Sequence, residues 1–188
     1  MNEKMKNALN ETLESGEKVV WESAVQPFGL FDGKEGRSVL LTWVICAVAI
    51  CGLMAAYATH NGKGVAIYLV SLVALAIIVL TPILSYRQTV GQRYYITSRR
   101  ALTIRPDGST FKMDLENVGE SRLYKVDCGG AALALGSMLL AEKDKQLRWR
   151  ANHPLESSDY VLRGMVFYRP ERAEDALRLL SGETAKEA

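Results

Sequence analysis

Side chains able to do chemistry are sparse in this sequence. Its histidines are His60 and His153, and neither has a cysteine, a serine elbow or an acidic pair at a spacing that builds an active site. His153 stands beside Pro154, the setting of a solvated loop residue. Cys128-Gly129-Gly130 could pass for a reactive thiol or a phosphate loop, but it lacks the lysine and spacing of a P-loop and reads better as a turn between strands. Cys46 and Cys51 fall in an apolar run, no cysteine pair has zinc-site spacing, and no disulfide is expected. Neither an enzyme nor a bound metal or cofactor is expected.

The stretch 87–112 is the most informative polar feature. It holds Arg87, Arg93, Arg99, Arg100, Arg105 and Lys112 against Asp107 alone, a net charge of +5. Two uses fit it. The basic residues can enforce membrane topology from a solvated sheet face, or they can touch anionic lipid headgroups at about 1 kcal/mol each. Arg93, Arg99, Arg100 and Arg105 are the candidate contacts for lipid or a protein partner. Strand alternation makes Arg99 and Arg100, in a turn, the most exposed of them, with Arg93 flanking the bilayer. No nucleic-acid recognition motif accompanies these residues, and nucleic acid is not expected as a partner.

The elements that position this stretch are set by charge segregation. Overall net charge is only +2 and mean hydropathy is near zero, yet residues 38–62 and 64–86 contain no Asp, Glu, Lys or Arg. A helix rises about 1.5 Å per residue and the hydrocarbon core is about 30 Å thick, so roughly 20 apolar residues span it. The runs 39–59 and 65–86 are apolar all round, unlike the helices of a soluble protein, which keep a polar face. A cleaved signal peptide is not expected, because 37 mostly polar residues come first. His60-Asn61-Gly62-Lys63-Gly64 is short, polar and glycine-rich, which suits a tight turn between antiparallel spans. Arginine dominates the outer flanks while the turn has Lys63 alone, so both termini are expected in the cytoplasm. Neither span carries a charge, which argues against transport. Thr81-Pro82 could kink the second span, and Gly52 with Ala56 is a small-residue step that could seat a second copy of the chain.

Three cytoplasmic parts follow from the pattern. Residues 2–15 are expected as a helix, with Met5, Leu9 and Leu13 stacked and Gly16 as its stop. Glu17 to Ala24 reads as a strand or extended segment, and Pro27 to Phe31 as an aromatic interface anchor. Residues 87–188 are long enough to fold alone. Strands are expected at 94–97, 101–104, 110–115, 121–126, 132–140, 146–150 and 165–168, with Asp107-Gly108 as a hairpin turn. Pro170 should open a final helix whose stripe is Ala173, Ala176, Leu177 and Leu180, with Gly182 ending it and 183–188 a frayed polar tail.

Gly16-Glu17-Lys18-Val19-Val20-Trp21 ahead of the hairpin, and Tyr94-Tyr95-Ile96-Thr97-Ser98-Arg99-Arg100 behind it, resemble motifs of the bacterial pleckstrin-homology-like membrane proteins. In that family a G-E-x-x-x-W segment precedes the spans and Y-x-[IV]-T-x-x-R opens the first β-hairpin. Pro27 lies later than the family's proline, and the stretch around His153 and Pro154 is irregular. The resemblance runs from about Gly16 to Leu180. It implies an α+β, mainly β, pleckstrin-homology-like domain of about seven antiparallel strands capped by a C-terminal helix, and no defined chemistry. The expectation is a multi-pass protein of the inner (plasma) membrane, organised as 1–37, the hairpin 38–86 and a domain at 87–188. It would be a non-enzymatic module presenting that domain to protein partners or anionic lipid. The alternative is an accessory subunit of a larger membrane complex.

Overall fold

A computed structural model describes residues 2–61, 65–137, 146–156 and 161–181. The expected turn at Gly62–Gly64, the strand end at 138–140, and Gly182 with the tail behind it lie outside those residues. The chain divides into two compact units, one made of residues 1–28 and 87–188, the other of 29–86.

The second unit is a pair of helices, α2 (Gly33–Asn61) and α3, which begins at Val65 and runs on to Val90 in the first unit. Both are long and apolar enough to cross a membrane. Their apolar side chains stand largely uncovered; Leu53 is 71% exposed and Val65 72%. Pro82 lies inside α3 and has no N–H to give the carbonyl of Ile78, four residues back. The indole Nε1 of Trp43 donates to that carbonyl at 3.2 Å. Phe31 holds the same indole edge-on at 5.5 Å. An unpaired backbone group is costly in hydrocarbon, so one contact offsets the proline and joins the helices. Trp43→Phe is expected to destabilise the pair by about 0.6–2 kcal/mol in reversible unfolding from mixed micelles. In a Pro82→Ala background, where the Ile78 carbonyl regains its helical donor, that loss should shrink; an equal loss in both backgrounds would disprove the compensation.

The first unit opens with α1 (Glu3–Thr12) and β1 (Val19–Ala24). After α3 come β2 (Arg93–Thr97), β3 (Arg100–Ile104), β4 (Thr110–Asp114), β5 (Ser121–Lys125) and β6 (Ala131–Gly136). Then follow α4 (Leu147–Asn152), β7 (Leu155–Glu156), β8 (Leu162–Phe167) and α5 (Ala173–Ser181). The strands form two antiparallel four-stranded sheets in the orders β1-β2-β3-β4 and β5-β6-β8-β7. Asp107 fixes the β3–β4 turn by accepting from the Ser109 N–H at 2.9 Å and hydroxyl at 2.7 Å, with Gly108 at φ 91°. Gly129 and Gly130, at φ 91° and 77°, make the turn between β5 and β6.

An aromatic stack joins the sheets. The Phe167 ring lies 4.6 Å from Tyr94 and 6.1 Å from Trp21, nearly parallel to both. On the other face of the first sheet, Tyr95, Leu102 and Ile104 pack under Met5, with Ala8 and Leu9 beside them. That sheet is therefore covered on both sides, which is why every residue of β3 is buried. Burial of Ala173 and Ala176 seats α5 on β5 and β6.

Several expectations need correction. Residues 87–188 do not make the unit by themselves, because β1 is an edge strand paired with β2. Residues 146–150 are not a strand. Leu147 with Ala151, and Arg148 with Asn152, are buried at four-residue spacing, so the helical period of α4 overrides the Leu147–Trp149 alternation. The first helix stops at Thr12, where Leu13 turns extended, short of Gly16. The last begins at Ala173, because Pro170 is held in a bridge to Val25. Phe28 is no interface anchor: it is 8% exposed and meets Tyr168 edge-on at 5.2 Å.

Candidate functional site

Three of the four candidate arginines are neutralised on one sheet face. Arg93, Arg100 and, at the turn, Arg99 lie toward the face that α1 and its following loop cover. Arg93 Nη1 meets Glu22 Oε1 at 3.1 Å, and Arg99 Nη1 meets Glu14 Oε2 at 3.2 Å. Arg100 is the exception to expected exposure. Its side chain is 7% exposed and forks onto Glu17, whose side chain is 0% exposed. Its guanidinium also donates to the Thr12 carbonyl at 3.0 Å and pairs with Glu14 at 3.2 Å. Turn position would have left it in water; the loop after α1 covers it instead.

Glu17 is fully engaged. It accepts from Arg100 and, at 2.5 Å, from the Thr97 hydroxyl, while the Glu14 N–H donates to it at 2.9 Å. The guanidinium hydrogen bonds, with help from these donors, hold its carboxyl at about 2, well below its ordinary 4.5, against the opposing effect of burial. Glu17, Thr97 and Arg100 come from the two segments quoted above, which flank the apolar helices and are about 80 residues apart. Their geometry is that of a structural lock.

Arg105 belongs elsewhere. Its guanidinium lies 4.2 Å above the Phe111 ring and donates to the Asn152 carbonyl at the end of α4. Burial pushes its pKa down, opposed by Asp107. Around α4 the charges differ from those beside α1. Arg105, Arg150 and Arg169 make no salt bridge among the described residues, whereas Arg93, Arg99 and Arg100 each hold a glutamate. The Nε groups of Arg105 and Arg169 are buried with no hydrogen-bond acceptor among the described residues.

No family model, curated protein or solved structure matches this chain.

α4 lies between the two places where the chain leaves and re-enters the first unit. At the exit, Phe28 has the Arg148 guanidinium 5.2 Å and the Arg169 guanidinium 5.7 Å from its ring. At the re-entry, Asn152 Nδ2 donates to the Thr89 hydroxyl at 2.7 Å and its Oδ1 accepts from Gln92 Nε2 at 2.8 Å. Gln92 Oε1 accepts from the Tyr94 hydroxyl at 3.0 Å, which in turn accepts the Tyr168 N–H at 2.9 Å. Gln92, Tyr94, Asn152 and Thr89 are all buried, so a satisfied polar network runs from the aromatic core to the end of α3. Outward from it, Trp149 is 45% exposed, stacks on His153 at 4.4 Å and has Arg150 5.1 Å from its ring.

The Leu147–Trp149 alternation, which predicts a strand at Gln146–Arg150, conceals the cluster around α4. The signal was present: Arg148-Trp149-Arg150 is the one place where basic residues bracket a tryptophan. Cys128 sits in its expected turn, 3.6 Å from the Tyr168 hydroxyl and 3.5 Å from Arg169 Nη1. Among the described residues, no group of three or more His, Cys, Asp or Glu is placed to hold a metal ion.

Proposed function

We propose that this protein is a membrane-anchored interaction module: α2 and α3 cross the bilayer as a hairpin, and the β-rich unit is held at the cytoplasmic face to bind protein partners or anionic lipid. The observation that carries it is the pairing of β1 with β2. These strands lie before and after the two apolar helices, so two crossings return the chain to the side it left. Eight strands in two antiparallel sheets, seven of them after residue 87, and a helix packed on β5 and β6 fit the small capped barrel or sandwich that the resemblance to pleckstrin-homology-like membrane proteins implies. The arginine bias on the outer flanks supports cytoplasmic termini in the inner membrane. The accessory-subunit alternative draws on the uncovered helix surface, where, apart from the helix's own neighbouring backbone, nothing among the described residues lies within 4 Å of the place a side chain at Gly52 would take.

Topology is tested in intact cells with single cysteines in a background lacking Cys46, Cys51 and Cys128. Asn61→Cys is expected to react with an impermeant thiol reagent, while Asn2→Cys and Ser181→Cys stay unlabelled until the cells are opened. Labelling of either terminal position in intact cells would reverse the orientation. Crosslinking in native membranes followed by gentle detergent extraction separates the two readings, since a stoichiometric complex held through α2 and α3 favours the subunit.

A further inference from the structure

We propose that the outward face of α4, carrying Trp149 and Arg150 with His153 just beyond its end, docks on the anionic headgroup layer of the same bilayer that α2 and α3 cross. The proposal rests on the membrane-hairpin reading above and assigns its lipid-contact site.

Covalent connection is the first support. The second apolar run ends at Tyr86, and Thr89, three residues later, is already bonded to Asn152 of α4. The other junction is Phe28, which stands beside Arg148 of α4. A helix bonded three residues beyond the end of the second apolar run, and beside the residue at which the chain leaves this unit for the first, is held by the chain itself close to the bilayer surface.

Side-chain chemistry is the second support. Trp149 is 45% exposed although Leu147 and Ala151 beside it are each 4% exposed. Tryptophan at a membrane–water boundary places its ring among the headgroups, and the flanking Arg150 supplies positive charge for their phosphates. α4 contains no acidic residue, and Arg150 makes no salt bridge among the described residues. Arg87, exposed in the last turn of α3, adds a further positive charge at the re-entry. By contrast Arg99, the most exposed of the sequence-derived candidates, is paired to Glu14 on the sheet face that α1 covers.

The test uses the full-length protein in nanodiscs of phosphatidylcholine alone or mixed with phosphatidylglycerol. Brominated lipids quench tryptophan by contact, and subtracting the signal of Trp149→Phe isolates Trp149 from Trp21 and Trp43. Trp149 is expected to be quenched by bromines near the headgroups, more strongly in the anionic discs, and to be released by salt as the Debye length shrinks from about 10 Å at 0.1 M to about 3 Å at 1 M. Arg150→Gln should lower the docked-to-undocked ratio about fivefold, the equivalent of one headgroup contact. Arg99→Ser should leave it unchanged. Trp149 unquenched in both discs would overturn the proposal, as would equal losses from Arg150→Gln and Arg99→Ser. Protection of Trp149 in native membranes but not in pure lipid would overturn it in favour of a protein covering α4. Cysteine labelling separates the layers: correct topology with Trp149 in water sinks the docking alone, whereas reversed topology sinks the reading beneath it.

Discussion

Replacing Glu17 with alanine is expected to destabilise the β-rich unit by about 3–5 kcal/mol, because the Arg100 guanidinium is then left buried without its principal partner. Glu14 also reaches Arg100, at 3.2 Å from a 56% exposed side chain, so the loss should fall toward the lower end. The same interaction is visible in the titration of Glu17. The Glu17 carboxyl titrates at about 2 in the folded protein against an ordinary 4.5, a difference equivalent to roughly 3 kcal/mol. The folded-state value is the lower one, so this stabilisation is complete above about pH 4.5 and fades as pH falls toward 2. Thermal unfolding of the detergent-solubilised protein should show a midpoint lowered by roughly 10 °C in Glu17→Ala at neutral pH. The difference from the parent should narrow on acidification, since protonation removes the same interaction. A variant that melts with the parent at pH 7 would mean that the pair contributes nothing net.

The second large effect is expected at Ala176, on the face of α5 that packs against β5 and β6. Ala176 is 0% exposed, so Ala176→Asp forces both extra volume and an unpaired carboxylate into a closed contact. The cost should be about 4 kcal/mol or more, a large part of the 5–15 kcal/mol that typically holds a domain together. Leu177→Asp is expected to cost clearly less, because Leu177 is only half-buried in the same helix. The order of the two melting temperatures is the check. Equal midpoints for Ala176→Asp and the parent would show that α5 is not packed on the second sheet, and a larger loss at Leu177 would mean that the helix is rotated.

Some of this architecture was legible in the residues. The two apolar helices followed from 38–62 and 64–86, because hydrocarbon tolerates no charge and no unpaired backbone over some 20 residues, a demand written locally in the chain. The β3–β4 hairpin followed from Asp107-Gly108, where a short polar turn sets the geometry of its neighbours. The arginine surplus at 87–112 was equally plain, but its meaning was not. Whether Arg100 faces water depends on Glu17 and Thr12, more than 80 residues away, and no local period encodes that approach. Leu147 and Trp149 alternate as in a strand. Only the seat of Leu147, Arg148, Ala151 and Asn152 against the rest of the unit makes them a helix with Trp149 outward. Local composition therefore determined which segments form helices long and apolar enough to cross a membrane and where the tightest turns fall. The tertiary structure decided which charges are neutralised, since ion pairing and burial depend on distances between residues that the chain brings together only by folding.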